Sequence, residues 1–165
     1  MTRDHEDVEI GVFRDHQQAL RAHFAGWGPY KSISGWIPWE EDELLELPIH
    51  QVLFRPPRSG PPSDPWEPSP EERQFFLNEV EDGVWICRRD ARVTCPVGEL
   101  TLRSAGGIPI VAPEIQLLYK AKHKEDKDEH DFRETLPRLT PSRRSWLRRA
   151  LEIVHPGDEW LEALA

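Results

Sequence analysis

Asp7 and Glu9 are the residues of this 165-residue chain whose types and spacing come nearest to a reaction centre. They lie in the opening stretch Arg3–Phe13 (RDHEDVEIGVF). In a strand, side chains alternate between the two faces, so Asp7, Glu9 and Gly11 share one face and Val8, Ile10 and Val12 the other. Two carboxylates held that close repel each other until a cation lies between them. Hard oxygen donors one residue apart suit Mg²⁺, which takes few protein ligands when phosphates supply the rest. The chemistry implied is phosphoryl or nucleotidyl transfer, while an exposed acidic strand edge without metal is the alternative that Asp-x-Glu leaves open.

Other reactive residue types give weaker patterns. Cys87 and Cys95 form no Cys-x-x-Cys pair, and the reading that fits them best is reduced core cysteine. His16 and His23, seven apart, fall on one side of a helix with no third metal-spaced partner, which makes them surface histidines. His130-Asp131 has the dipeptide of some metal-dependent phosphohydrolases, but no further His and Asp pair stands upstream at suitable spacing. Trp36, Pro38 and Trp39 make an aromatic loop, either a pocket wall or a satellite cluster.

The elements that must position these residues can be read along the chain. The acidic strand is followed by a helix from His16 to about Ala25, with Asp15 as its N-cap, Leu20 and Phe24 facing inward, and Gly26 to Gly28 ending it. A short strand at His50–Phe54 precedes a Pro- and Ser-rich surface loop, Pro56–Pro70, that carries Trp66 and has no periodicity; it is either a lid or a variable insertion. Arg73–Val80 and Val84–Arg89 are β-rich runs joined across Glu81-Asp82-Gly83, a hairpin signal. Further strands are expected at Val93–Pro96 and Ile108–Val111, so the sheet reads as mostly antiparallel and built around the acidic strand.

From Pro113 the pattern turns helical, with Pro113 at the first position and Glu114 at the positive end of the dipole. Leu117, Leu118 and Ala121 form an apolar stripe, and Lys120, Lys124, Lys127 and Asp131 recur along another face. A last helix begins at Thr140-Pro141, with Trp146, Leu147, Ala150, Leu151 and Val154 inward and Arg143, Arg144, Arg148 and Arg149 outward. His155-Pro156-Gly157 stops it, and Trp160–Leu164 packs back as a short terminal turn. The fold class expected is therefore α+β. Its domains are an α/β core over residues 1–112 and a helical segment over 113–165 packed on it.

Composition narrows the function classes. Charged residues make up 31% of the chain and mean hydropathy is -0.65, as in soluble globular proteins. No run approaches the length of a membrane span and no signal peptide is evident, so the expectation is a cytoplasmic protein without a membrane partner. The net charge of -9 argues against nucleic acid and is compatible with a cationic small molecule.

Three segments together resemble one known group. Thr2–Ile10 (TRDHEDVEI) is similar to the catalytic strand of the antibiotic nucleotidyltransferases of the DNA polymerase beta-like superfamily, above all their lincosamide and aminoglycoside branch. Gly107–Lys122 (GIPIVAPEIQLLYKAK) and Lys127–Phe132 (KDEHDF) resemble the helical part of the same group, in the same order and spacing. The resemblance implies a nucleotidyltransferase-like mixed sheet with a C-terminal helical part, and a cytoplasmic enzyme linked to antibiotic resistance. Such an enzyme transfers a nucleoside monophosphate from ATP or another NTP to a hydroxyl of a small-molecule acceptor. It implies Asp7 and Glu9 as catalytic Mg²⁺ ligands, and Arg3, Lys120 and Lys127 as partners of the triphosphate. A homo-oligomer is compatible with it.

Two features depart from the family pattern. Family members carry a Gly-Gly or Gly-Ser turn before the acidic strand, whereas Met1 stands six residues before Asp7, so the core is expected to be incomplete at its N-terminus. The alternatives are a truncated start, an element supplied by another chain, or lost catalysis. The third family carboxylate, a metal ligand or general base, falls on Gln74, which cannot take a proton at neutral pH. Glu79 is the nearby candidate for that role, although it reaches Gln74's face only through a bulge, while Glu72 shares that face outright. The rivals to an active transferase are a catalytically silent nucleotide-binding module and an interaction protein using Trp36, Trp39 and Trp66. If Asp7 holds the metal, Asp7→Asn abolishes Mg²⁺-dependent nucleotide binding with little effect on folding, as calorimetric titration and thermal melting would show; unchanged affinity would contradict the assignment.

Overall fold

A computed structural model of the chain describes residues 8–57 and 71–165, so Arg3, Asp7 and Trp66 lie outside the described residues, as does most of the Pro-rich stretch. The fold is mixed α+β with a mostly antiparallel sheet and several helices. It divides into two compact units, Arg3–Val80 and Glu81–Ala165. The boundary between the two units falls before β6. None of the described helices is long and apolar enough to cross a membrane.

In the first unit, strand β1 (Ile10–Phe13) leads through a 3-10 turn (Arg14–His16) into helix α1 (Gln17–His23). The expected N-cap, Asp15, lies inside that turn, and neither the turn nor α1 has a side-chain cap. Strands β2 (Gly28–Ser32), β3 (Trp36–Pro38), β4 (Gln51–Arg55) and β5 (Arg73–Glu81) follow. Their order is β3-β2-β4-β5, all antiparallel, and β1 joins β5 in the one parallel pairing of the unit's described strands. The acidic strand is therefore not the centre of the sheet. That place belongs to β5, the nine-residue strand that pairs with both β4 and β1.

Alternation decides which face of this sheet is dry. Val52 and Phe54 of β4 and Phe75 and Leu77 of β5 form a buried cluster with Trp39 and Leu45, against which Val12, Leu20, Phe24, Trp27 and Ile49 pack. Phe24 of α1 stacks on Phe54 at 4.7 Å between centroids and meets Phe75 edge-on at 5.4 Å, so the helix is seated by aromatic contact. Trp39, 2% exposed, is a core residue, and Trp36 belongs to β3. This corrects the reading of both as members of one exposed aromatic patch.

Polar side chains of the β1–α1 segment hold the long connection between β3 and β4. Buried Gln17 receives the Leu45 amide at 2.7 Å and donates to the Leu45 carbonyl at 3.2 Å, while Arg14 Nη1 donates to the same carbonyl at 3.1 Å. Arg21 donates to the carbonyls of Trp39 and Glu40, and Trp39 Nε1 donates to the Glu43 carbonyl. Lys31, buried on β2, pairs with the Glu43 carboxylate, and this hydrogen bond holds the carboxyl below its usual range. A segment without strand partners must satisfy its inward-facing backbone groups somewhere, and here side chains do so.

In the second unit, Asp82 (φ 49°) and Gly83 (φ 77°) take the left-handed backbone of a tight turn ahead of strand β6 (Val84–Ile86). β6 pairs antiparallel with β7 (Thr94–Pro96), and a short helix, α2 (Val97–Leu100), leads into a separate ribbon of β8 (Thr101–Arg103) and β9 (Pro109–Val111). The expected single helix from Pro113 is two, α3 (Pro113–Lys120) and α4 (Asp126–Thr135), broken between them where Glu125 and Asp128 form a reciprocal capping box. The lysine stripe drawn across this stretch is therefore not one face. Helix α5 (Pro141–Val154) starts where expected, with Thr140 accepting from the Arg143 amide. Helix α6 (Trp160–Ala163) packs back through Trp160, stacked on Phe132 at 4.2 Å and 5°.

Replacing Gln17 by Leu keeps the volume but leaves the Leu45 amide without its acceptor. The expected loss is about 1–3 kcal/mol of unfolding free energy in urea titrations with an unchanged m value.

Candidate functional site

The register of β1 against β5 decides what faces the sheet side opposite the aromatic core. Ile10 pairs with Phe75, Gly11 with Phe76, Val12 with Leu77 and Phe13 with Asn78. Since Val12, Phe75 and Leu77 belong to the core side, Gly11, Phe13, Phe76 and Asn78 take the other. Exposed Glu9 directly precedes β1, and half-buried Gln74 directly precedes Phe75, the partner of Ile10. Gly11 keeps this strip flat: a Cβ there would stand 3.2 Å from Asn78 Nδ2, which itself donates to the Phe76 carbonyl at 2.9 Å.

Two carboxylates close to Gln74 in sequence, Glu79 and Glu72, are held in ion pairs. Glu79 lies on the core side of β5, opposite in facing to Gln74, and receives Arg14 Nε and Nη2 at 2.6 Å. No bulge turns it round. As placed, Glu79 anchors the turn after β1. Glu72, whose side chain is 5% exposed, pairs with Arg55 at the end of β4.

In the helical unit, Lys120 sits at the end of α3 with its side chain 15% exposed, bound to Asp128 at 2.5 Å and to Asp131 at 2.9 Å on α4. Burial pulls its pKa down, but the two carboxylates outweigh that and hold it above the ordinary lysine value. Lys127 is half exposed and pairs with Glu125 at 3.0 Å. Asp131, the partner of Lys120, is thereby bound within the triad and not presented with His130 as a metal pair. Among the described residues no group of three or more His, Cys, Asp or Glu side chains is placed to hold a metal ion. Cys87 and Cys95 are buried and free, and burial pushes the Cys95 thiol up to about 11.

One cluster escaped the sequence reading. Arg89, in the loop after β6, donates to the carbonyls of Leu118 at 2.9 Å and Tyr119 at 2.8 Å, closing the C-terminus of α3. The guanidiniums of Arg88 and Arg89 lie 5.0 and 4.9 Å from the centroid of the half-buried Tyr119 ring, whose hydroxyl pKa desolvation raises. Arg89 Nη1 also stands 3.3 Å from His155 Nε2, at the end of α5. The contacts bridge 29 to 66 residues of sequence, and an Arg-Arg pair after a strand gives no local cue to them.

No family model matches the chain, and comparison with curated proteins and with solved structures returns no match.

Desolvation, and then Arg89, depress the His155 pKa below 6.5. Above pH 6.5 the ring is neutral folded and unfolded, so its contribution is fully present; as pH falls toward the folded value, only the unfolded chain gains the proton and stability drops. Urea midpoints measured from pH 7.5 to 5 should therefore fall more steeply for the wild type than for His155→Asn.

Proposed function

We propose that this chain is a nucleotidyltransferase-fold protein that binds a nucleoside triphosphate with Mg²⁺ through Asp7 and Glu9. The reaction it serves is transfer of the nucleoside monophosphate to a hydroxyl of a small-molecule acceptor, of the aminoglycoside or lincosamide kind. The observation that supports this reading is the parallel pairing of β1 with β5: Glu9 directly precedes Ile10, and Gln74, the position at which the family's third carboxylate is expected, directly precedes its partner Phe75. Glu9 is exposed just before β1, and a carboxylate is the hard donor that Mg²⁺ prefers. When bound, the ion neutralises phosphate charge.

The residues of the chain have separate tasks in this reading. Arg3, which lies outside the described residues, is assigned to the triphosphate as a point charge by the family resemblance alone. Lys120 is neutralised by two aspartates and joins α3 to α4. The acceptor hydroxyl must lose its proton as it attacks the α-phosphorus, and Gln74 cannot take it.

That gap favours a second reading, a nucleotide-binding module with little or no turnover. Glu72 and Glu79, candidate carboxylates on either side of Gln74 in sequence, are both held in ion pairs with arginines. Restoring the acid distinguishes the readings: the wild type should bind Mg²⁺-ATP and release pyrophosphate slowly in the presence of an aminoglycoside. Gln74→Glu should raise that rate by about 10²-fold, the lower end of what a positioned base supplies. Binding without release in either protein would leave the binding module, and no binding at all would remove both.

A further inference from the structure

The connection between β3 and β4 is a rigid loop with an unusual surface. Its backbone is held at Trp39, Glu40, Glu43 and Leu45 by Arg14, Gln17, Arg21 and Trp39 side chains, and Leu45 is buried in the core. The neighbouring leucines point the other way: Leu44 is 64% exposed and Leu47 62%. Exposed Glu40, Glu41, Asp42 and Glu46 surround them. An ordered loop presenting two leucines within four acids has already lost the entropy that a binding segment would otherwise lose on docking.

The second unit carries a surface of the opposite character. One stripe of α5, namely Trp146, Arg149, Ala150 and Ile153, faces Arg92, Val93 and Thr94 across an open groove of about 330 Å³. Trp146 Nε1 donates to the Thr94 carbonyl at 2.9 Å, which fixes the indole as the groove's apolar wall. Arg92 is oriented at the rim by a two-pronged bond to Asp90 at 2.9 and 2.7 Å, which offsets its charge. Arg149 donates to Ser145 Oγ at 2.6 Å and, among the described residues, has no carboxylate partner.

We propose that copies of this chain associate by seating the acidic leucine loop of one copy, residues 40–47, in the Trp146–Arg149–Ile153 groove of another. Apolar side chains meet the indole and Ile153, and the acids meet the Arg149 rim. Charge complementarity selects this pairing in a chain whose net charge of -9 otherwise drives copies apart. The contact is heterologous, one loop to one groove. Its small area places it at the weak end of specific interfaces, with a dissociation constant on the order of 10 µM.

Sedimentation equilibrium of the full chain at about 200 µM, a concentration well above that dissociation constant, tests this. The average mass should exceed one and a half times the 19.2 kDa chain mass. Leu44→Asp and Arg149→Glu, both surface changes checked for folding by circular dichroism, should each return it to that of a single chain. An equimolar mixture of Arg149→Glu and Asp42→Lys chains should associate again, because each pairs with the other's complementary surface. A wild type of single-chain mass, an association that survives both variants, or a mixture that stays monomeric would overturn the proposal.

Discussion

The parallel pairing of β1 with β5 is the constraint on which the candidate site rests. Four residues of register, Ile10 to Phe13 against Phe75 to Asn78, decide both what is buried and what is presented. With Val12 committed to the aromatic core, Gly11 and Phe13 take the other side, and a slip of one residue would exchange the two sets. The helix after β1 reinforces this choice through Phe24, which wedges between Phe54 and Phe75.

Buried polar side chains carry the same logic through both units. Gln17, Lys31, Glu114 and Asp128 are the buried polar or charged residues among those described. Each is bound to a group distant in sequence: Gln17 to the Leu45 backbone, Lys31 to Glu43, Glu114 to Arg143 at 2.5 Å, and Asp128 to Lys120. Such pairs add little net stability over apolar contacts, but losing one partner strands the other. They set which segments meet, and in doing so they draw on side chains that the sequence offers as catalytic candidates, Glu79 and Lys120 among them.

Local signals explain what was legible beforehand. Thr140-Pro141 and Gly157 bracket α5, Asp82-Gly83 marks the turn before β6, and alternation located β4, β5 and β7. The α+β class followed from these. The centre of the sheet did not, because β1 and β5 are 65 residues apart and nothing within β1 says which strand it joins or in which direction. The break between α3 and α4 was hidden by charges that continue a helical period across it. Glu79 as an ion-pair partner of Arg14, and Arg89 as the closure of α3, are long-range contacts of exposed-looking residue types. For the site itself, the sequence supplied the acidic pair and the Gln74 anomaly, and the register added that the residues just after them, Ile10 and Phe75, are paired.

The central claim is that a metal–nucleotide complex sits on the strip formed by the start of β1 and by Gln74. Paramagnetic broadening of backbone amide NMR signals by Mn²⁺-ATP, which substitutes for the Mg²⁺ complex, tests it most directly. The account predicts that broadening begins at residues 7–11 and 73–76 and is absent when Mn²⁺ is added with ATP to Glu9→Gln. Broadening centred elsewhere, or unchanged in that variant, would contradict it.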